Sequence, residues 1–396
     1  MKFNKWTVGL AAVGVVSLAS AARADEQMST VQTALSSTTL SGYVDTAATW
    51  RPGTDQPIAG GAANVPAYGF SKNDGFSLNA VDLALDRPED ASPWAAGYHV
   101  EMMLGPDSVP GPGIRSAYLK LRTPVGNGID WQVGVWDTIV GYESNSDPLN
   151  PNYTRSYGYT IEPTTHTGIL ATYKINDMVT VQAGIADGSN VAGGPAGING
   201  TTVIESQKAY MGDVQFTAPD SAGFMKGATV TFAAIDSAGT GTAPGSTSLY
   251  WGMSLPTPVT ALKLGACFDY LDIHNDTAAN KSNDSVWNIA LYSSFQATDK
   301  LSFNFRAEYL DAEDLGNIAG PASLVFSNPV YDQNTAEEFT ATAQYNLWAN
   351  VISRVEFRWD HLDHGAVGVP GNVQGFGAGN GRRNDFLFAL NLIYQF

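Results

Sequence analysis

Charged side chains recur at every second position in two stretches of this chain. Arg306 and Glu308 alternate with Phe305, Ala307 and Tyr309, and Arg354, Glu356, Arg358 and Asp360 alternate with Val355, Phe357 and Trp359. A strand turns successive side chains to opposite faces, so each stretch carries its charges on one face and its apolar residues on the other. A charged row of this kind acts by field: it orders water and sorts charged and dipolar molecules without forming or breaking a bond. A second set stands between 137 and 164, where Glu143, Asp147, Arg155 and Glu162 lie among Tyr142, Tyr153, Tyr157 and Tyr159. Carboxylates on this segment facing the cations Lys120, Arg122, Arg306, Arg354 and Arg358 would set up such a field across a water-filled space.

Other reactive types are sparse. Asp360-His361-Leu362-Asp363-His364 holds metal-ligand residue types, and the simpler reading is loop residues at a strand end. Asp311, Glu313 and Asp314 read as solvated loop carboxylates, with weak divalent-cation binding as the alternative. Cys267 reads as a small space-filling residue and His166 as a satisfied wall residue. No G-x-S-x-G, phosphate loop or zinc motif occurs, so neither catalysis nor a cofactor is expected. The formal charge of −17 excludes a nucleic-acid partner.

The elements that position these residues are strands. From residue 39 onward about sixteen alternating segments can be marked, from 39–50 to 383–396, each close to the ~9–11 residues of a tilted transmembrane strand. Short connections such as Asn176-Asp177, Ala297–Asp299 and Trp348-Ala349 alternate with long ones near 51–75, 137–164, 188–206, 313–334 and 362–382. Short periplasmic turns and long extracellular loops are the pattern of an all-β, transmembrane antiparallel barrel. Charges face hydrocarbon only at high cost, so the charged rows face a wet lumen and the apolar rows face lipid. Aromatics mark two membrane interfaces: Trp50, Tyr270, Trp287, Tyr309 and Trp359 toward the loops, and Trp94, Trp131, Tyr173, Phe216, Phe295, Tyr345, Tyr394 and Phe396 toward the turns. Near Asn79-Ala80 the alternation of 76–87 slips phase, which predicts a β-bulge.

The two ends of the chain agree. Residues 1–24 read as an export signal: Lys2 and Lys5, an apolar run from Val8 to Ala21, then Ala22-Arg23-Ala24. Its removal takes three cations and no acid, so the charge falls from −17 to −20. Residues 25–38 form a polar leader and 39–396 the barrel. Phe386, Phe388, Leu390, Leu392, Tyr394 and Phe396 alternate to the last residue, which reads as a closing strand with Phe396 as the assembly signal.

The most specific text lies in the first half: Ser41-Gly42-Tyr43-Val44-Asp45, Phe76–Leu83, Trp131–Glu143, Pro151-Asn152-Tyr153-Thr154-Arg155-Ser156 and His166–Tyr173. Together these stretches resemble the OmpL-like β-barrel porin family. Where members often carry a basic residue and Phe before the Gly-Tyr-Glu stretch, this chain has Val135 and Trp136. The resemblance implies a pore and no particular solute.

These readings converge on an outer-membrane porin for small hydrophilic solutes or ions, mildly cation-preferring. For about sixteen strands the barrel is wide enough to leave an aqueous channel. In general porins of this strand number the third loop folds inward, and Glu143, Asp147, Tyr153, Arg155 and Glu162 are the expected constriction. Lys120, Arg122, Arg306, Glu308, Arg354, Glu356 and Arg358 are the expected wall. The expected partners are the lipid bilayer with its lipopolysaccharide, the barrel-assembly machinery, small solutes and, as a homotrimer, further copies of the chain. The alternatives are a structural or adhesive barrel with a plugged lumen, and a barrel-based enzyme, for which no convincing residue set is present.

Overall fold

A computed structural model describes residues 37–52, 74–108, 113–188, 208–237, 245–274, 283–313, 333–363 and 383–396. The stretch expected to be an export signal, nearly all of the expected polar leader, Asp314 and His364 lie outside the described residues. The strands are β1 (Thr39–Trp50), β2 (Gly75–Arg87), β3 (Ala96–Leu104), β4 (Gly113–Thr123), β5 (Ile129–Asp137), β6 (Thr165–Lys174), β7 (Val179–Ala186), β8 (Ala209–Thr217), β9 (Thr229–Ser237), β10 (Gly245–Pro256), β11 (Leu262–His274), β12 (Asn283–Gln296), β13 (Leu301–Glu313), β14 (Gln333–Trp348), β15 (Val351–Leu362) and β16 (Asn384–Gln395).

Each strand pairs antiparallel with its neighbours in chain order, and β1 pairs with β16 to close the barrel. Closure satisfies every strand edge, which is what allows strands to stand in hydrocarbon. At the seam Tyr43 opposes Gln395 and Trp50 opposes Phe388. The Gly42 amide donates to the Phe396 carbonyl at 3.1 Å, and the Phe396 amide donates to the Gly42 carbonyl at 3.0 Å. A Cβ at Gly42 would collide with the Asp82 carbonyl and the Phe396 ring, so the seam requires glycine there.

The polarity is inverted relative to a water-soluble barrel. On β16 the outward row, Phe386, Phe388, Leu390, Leu392 and Tyr394, is exposed, whereas Asp385 and Asn391 are buried inside. On β13 and β15 Phe303, Phe305 and Val355 are exposed, while Arg306, Glu308, Arg354, Glu356, Arg358 and Asp360 are buried. The faces assigned from alternation are the faces observed. Turn-side aromatics Trp94, Phe216, Phe295, Tyr345, Tyr394 and Phe396 are exposed, and on the loop side Trp287 packs between Phe268 and Tyr309.

The β1–β2 register slips between Asp45 and Thr46, leaving Asn79 as the extra residue, as the broken phase predicts. Asn79 and Ala80 then both lie buried on the lumen side, where the Asn79 amide donates to Asp45 at 2.6 Å. A second slip, between Glu101 and Met102, lets both Arg115 and Ser116 on β4 turn inward.

Loss of Phe396 removes both seam hydrogen bonds and the last outward aromatic. Deleting it should lower the yield of assembled, heat-modifiable barrel on a gel, while assembled molecules conduct as before. Full insertion without Phe396 would separate this residue from assembly.

Candidate pore constriction

On the inner wall the registers of β13, β14 and β15 stack charges in rows. Glu308 opposes Glu338, Glu338 opposes Asp360, and Asp360 opposes Asp385 on β16. Two residues nearer the turns, Arg306 opposes Thr340 and Thr340 opposes Arg358. Like charges directly across a ladder repel, so the carboxylate row needs the guanidinium row beneath it. Arg306 Nε lies 3.2 Å from carboxylate oxygens of both Glu308 and Glu338, and Arg358 Nη2 lies 2.8 Å from Asp360.

The segment joining β5 to β6, residues 138–164, folds into the barrel and lies on this wall. A 3₁₀ turn at Asp147–Leu149 and a short helix α1 (Tyr157–Ile161) shape it. Ser156 caps α1, accepting from the Tyr159 amide at 3.0 Å. The wall grips the loop through its backbone. Arg306 donates to the carbonyls of Thr154 at 2.8 Å and Arg155 at 3.1 Å, Arg358 to that of Arg155 at 2.6 Å, and Arg354 to those of Asp147 at 3.2 Å and Asn150 at 2.7 Å. Conversely, Glu308 accepts from the Tyr157 amide at 3.0 Å, and Glu356 accepts from the amides of Tyr153 at 2.5 Å and Thr154 at 2.9 Å. Guanidiniums have only donors and carboxylates only acceptors, so one row takes the loop's C=O groups and its neighbours take the N–H groups.

The expected opposition of loop carboxylates to wall cations therefore holds at one point and fails elsewhere. Glu143 accepts from Arg306 at 2.7 Å, from the Ser156 amide at 2.8 Å and from the Tyr292 hydroxyl at 3.2 Å. Asp147 instead pairs inside the loop with Arg155, at 2.5 Å, because the inward fold places both beside Tyr159. Glu162 meets another acid, Asp269 on β11. Lys120 and Arg122 do not reach the loop: they pair across the wall with Asp86 and Asp130, each at 2.5 Å. Both are near the turn-side end of β4, below the level of the loop. Asp147, Arg155 and Glu162 are almost wholly buried, and so are the side chain of Glu143 and the hydroxyl-bearing ring of Tyr157.

His166 is fully buried, tilted against Trp136 and 3.1 Å from the Thr138 hydroxyl. Cys267 is buried with Sγ 3.5 Å from Asp269. Asp360 turns inward to Arg358, whereas His361 bonds Asn384 on the outside, so the two share no site. Among the described residues no group of His, Cys, Asp and Glu is arranged to hold a metal. Sequence reasoning missed Glu338 and Asp269, each on the lumen row of its strand, where alternation could have found them. It also missed Arg115, which pairs with Glu101 and Asp137 and whose bulge breaks the alternation.

This attachment can be tested at two residues. Arg306→Ala leaves Glu308 and Glu338 without their nearest cation and the Thr154 carbonyl without its wall donor, while the Arg155 carbonyl keeps only Arg358. Removing one partner of a buried ion pair costs about 3–5 kcal/mol, so chymotrypsin should cut between Tyr153 and Tyr159 in the variant and not in the parent; equal resistance would mean that other contacts hold the loop. Burial and then the neighbouring Asp269 push the Glu162 carboxyl well above the usual carboxylate range. A raised carboxyl favours the folded loop at low pH, and that contribution is lost as pH climbs from the ordinary carboxylate range through the raised value. Loop protection should fall on alkalinisation in the parent and fall less in Glu162→Gln.

Comparison with known proteins bears on what such a barrel is. The family model described as "Putative beta-barrel porin-2, OmpL-like" matches residues 37–396. No curated protein matches the chain. Among solved structures, the outer membrane channel DcaP of Acinetobacter baumannii superposes with a TM-score of 0.59 at 11% identity, covering 91% of this chain and 97% of that one. An anion-selective porin from Comamonas acidovorans gives 0.58 at 13%, covering 91% and 99%. The trimer form of OmpT, an outer membrane protein of Vibrio cholerae, gives 0.57 at 12%, covering 91% and 99%. With the closed sixteen-strand barrel, its apolar outer face and its inward loop in place, the family match over nearly all of the described chain makes this protein a member of the OmpL-like β-barrel porins of the bacterial outer membrane.

Proposed function

We propose that this porin is a passive diffusion channel for small hydrophilic solutes and ions, with a mild preference for cations. The observation that carries the reading is the inner surface: polar and charged rows surround the lumen, and an attached loop divides the space they enclose. The loop's own charges, expected at the constriction, act here mainly as its anchors. Residual selectivity is then set by the balance of the walls. Around the loop, Glu143, Asp147, Glu162, Asp269, Glu308, Glu338, Glu356 and Asp360 outnumber Arg155, Arg306, Arg354 and Arg358. Along β2–β5, Asp82, Asp86, Glu101, Asp130 and Asp137 outnumber Arg115, Lys120 and Arg122. An excess of fixed carboxylates in a confined aqueous space raises the local cation concentration.

The same reading takes the outward row of β1 as a seat for neighbouring copies in a homotrimer. Gly42, Val44, Thr46 and Ala48 are small, and small residues let two surfaces approach closely in lipid. A structural or adhesive barrel would instead have a plugged lumen and no conductance, and a barrel-based enzyme would be labelled by a serine-reactive probe.

Purified protein in a planar bilayer under a KCl gradient should show stepwise channel openings, with a reversal potential of the sign given by potassium permeation. Absence of openings would end the channel reading. Openings with chloride-driven reversal would leave the channel and overturn the cation preference.

A further inference from the structure

Turnward of the loop, the lumen is not uniform. One wall, β2 to β5, carries the charge ladder: the Arg122–Asp130 and Lys120–Asp86 pairs, then His99 between Asp86 and Glu101, then Arg115. It borders a cavity of about 310 Å³. Across the lumen, at the turn-side ends of β8 to β14, lies a larger cavity of about 550 Å³. Leu149 and Asn150 of the loop roof it, and Gln215, Thr231, Asn304 and Gln344 stand among its walls. No residue lining this second cavity carries a charge. The nearest lysine on the inward row of β11, Lys263, pairs in register with Ser294 and lies outside the lining.

In a chain so acidic, an uncharged compartment has a defined chemistry. Amide and hydroxyl side chains both donate and accept. A neutral molecule bearing many hydroxyls can exchange its water partners for them at little net cost. An ion entering the same space meets no charge in the lining itself, since the adjoining Arg354 already directs its donors to Gln344 at 2.9 Å and Asn150 at 2.7 Å, and it pays desolvation with little compensation. The volume lies within the roughly 300–1,000 Å³ typical of small-ligand sites. The half-buried Tyr142 and the exposed Leu149 add apolar and aromatic surface on which the C–H face of a sugar ring can rest. We infer that this cavity is a subsite for uncharged polyhydroxylated solutes of mono- to disaccharide size, beside a separate charged wall that serves ions. The inference rests on the channel reading and names a solute class for it.

The test is maltose added to single channels of the full-length protein in KCl. Dextran too large to enter the barrel, at equal viscosity, is the reference. Maltose should lower the open-channel current in a saturating manner, well beyond the dextran effect. Asn304→Leu, which removes an amide from the lining, should raise the half-blocking concentration about tenfold, the equivalent of one or two lost hydrogen bonds. Thr231→Val, close in volume, should shift it in the same direction and decides the matter if Asn304→Leu yields no barrel. Channels whose current falls no further with maltose than with dextran would overturn the subsite while leaving the channel. Equal block in parent and Thr231→Val would place sugar binding elsewhere. No openings at all would count against the channel itself.

Discussion

In hydrocarbon every backbone N–H and C=O must find its partner within the protein. That requirement closes β1 onto β16, and closure fixes most of the remaining architecture. A closed ring of sixteen strands has no free edge, and its pleat commits each residue to lipid or lumen with no intermediate position. Outside, apolar side chains remain exposed because lipid is their solvent. Inside, the charges that lipid excludes are crowded onto facing rows. A ring of this size also encloses more space than its own side chains fill, and the chain uses the β5–β6 loop to occupy it.

How the loop is held is a consequence of that crowding. A row of four cross-strand carboxylates, Glu308, Glu338, Asp360 and Asp385, is unfavourable alone. Arg306 and Arg358 offset it, but each guanidinium has more donors than the row can use. The surplus goes to the loop carbonyls of Thr154 and Arg155, while Glu308 and Glu356 direct their spare lone pairs to loop amides. The loop completes the wall's hydrogen bonding, and the wall supplies partners for the backbone groups of 147–157 that the loop's own contacts leave over. Glu162 and Asp269 depart from this pattern, since two acids meet where the loop returns to β6, and burial with the neighbouring Asp269 holds the Glu162 carboxyl well above the usual carboxylate range.

Much of this is legible from a period of two. The strand positions, the faces of β13 and β15, the Asn79 bulge and the Phe396 seam all derive from which residues alternate and where the phase slips. Partnership inside the lumen does not. Alternation says that Lys120 and Arg122 point inward, and the cross-strand register, which a single sequence leaves open, decides that they meet Asp86 and Asp130 rather than the loop. Arg115 is harder still, because the bulge beside it puts two consecutive residues on one face. Strand number alone suggests the loop's inward course, but its anchorage through backbone groups leaves no mark in side-chain pattern at all.

Relatives at 11–13% identity share the barrel, and one of them is an anion-selective porin. The outward rows need only be apolar, so the shared architecture leaves the inward rows free to differ. In this chain the inward charges fall into two groups. Those around the loop are sunk into the attachment, and those on β2–β5 pair across the wall, so few stand unpaired against a passing solute. Field-driven sorting is weakened by such pairing, since each ion pair presents a short-range dipole instead of a net charge. On the channel reading proposed above, the residual acidity of the walls biases ions mildly, while the uncharged lining on β8–β14 presents hydrogen bonds that no salt concentration screens. On that reading the pore discriminates among neutral molecules by fit and among ions only by balance.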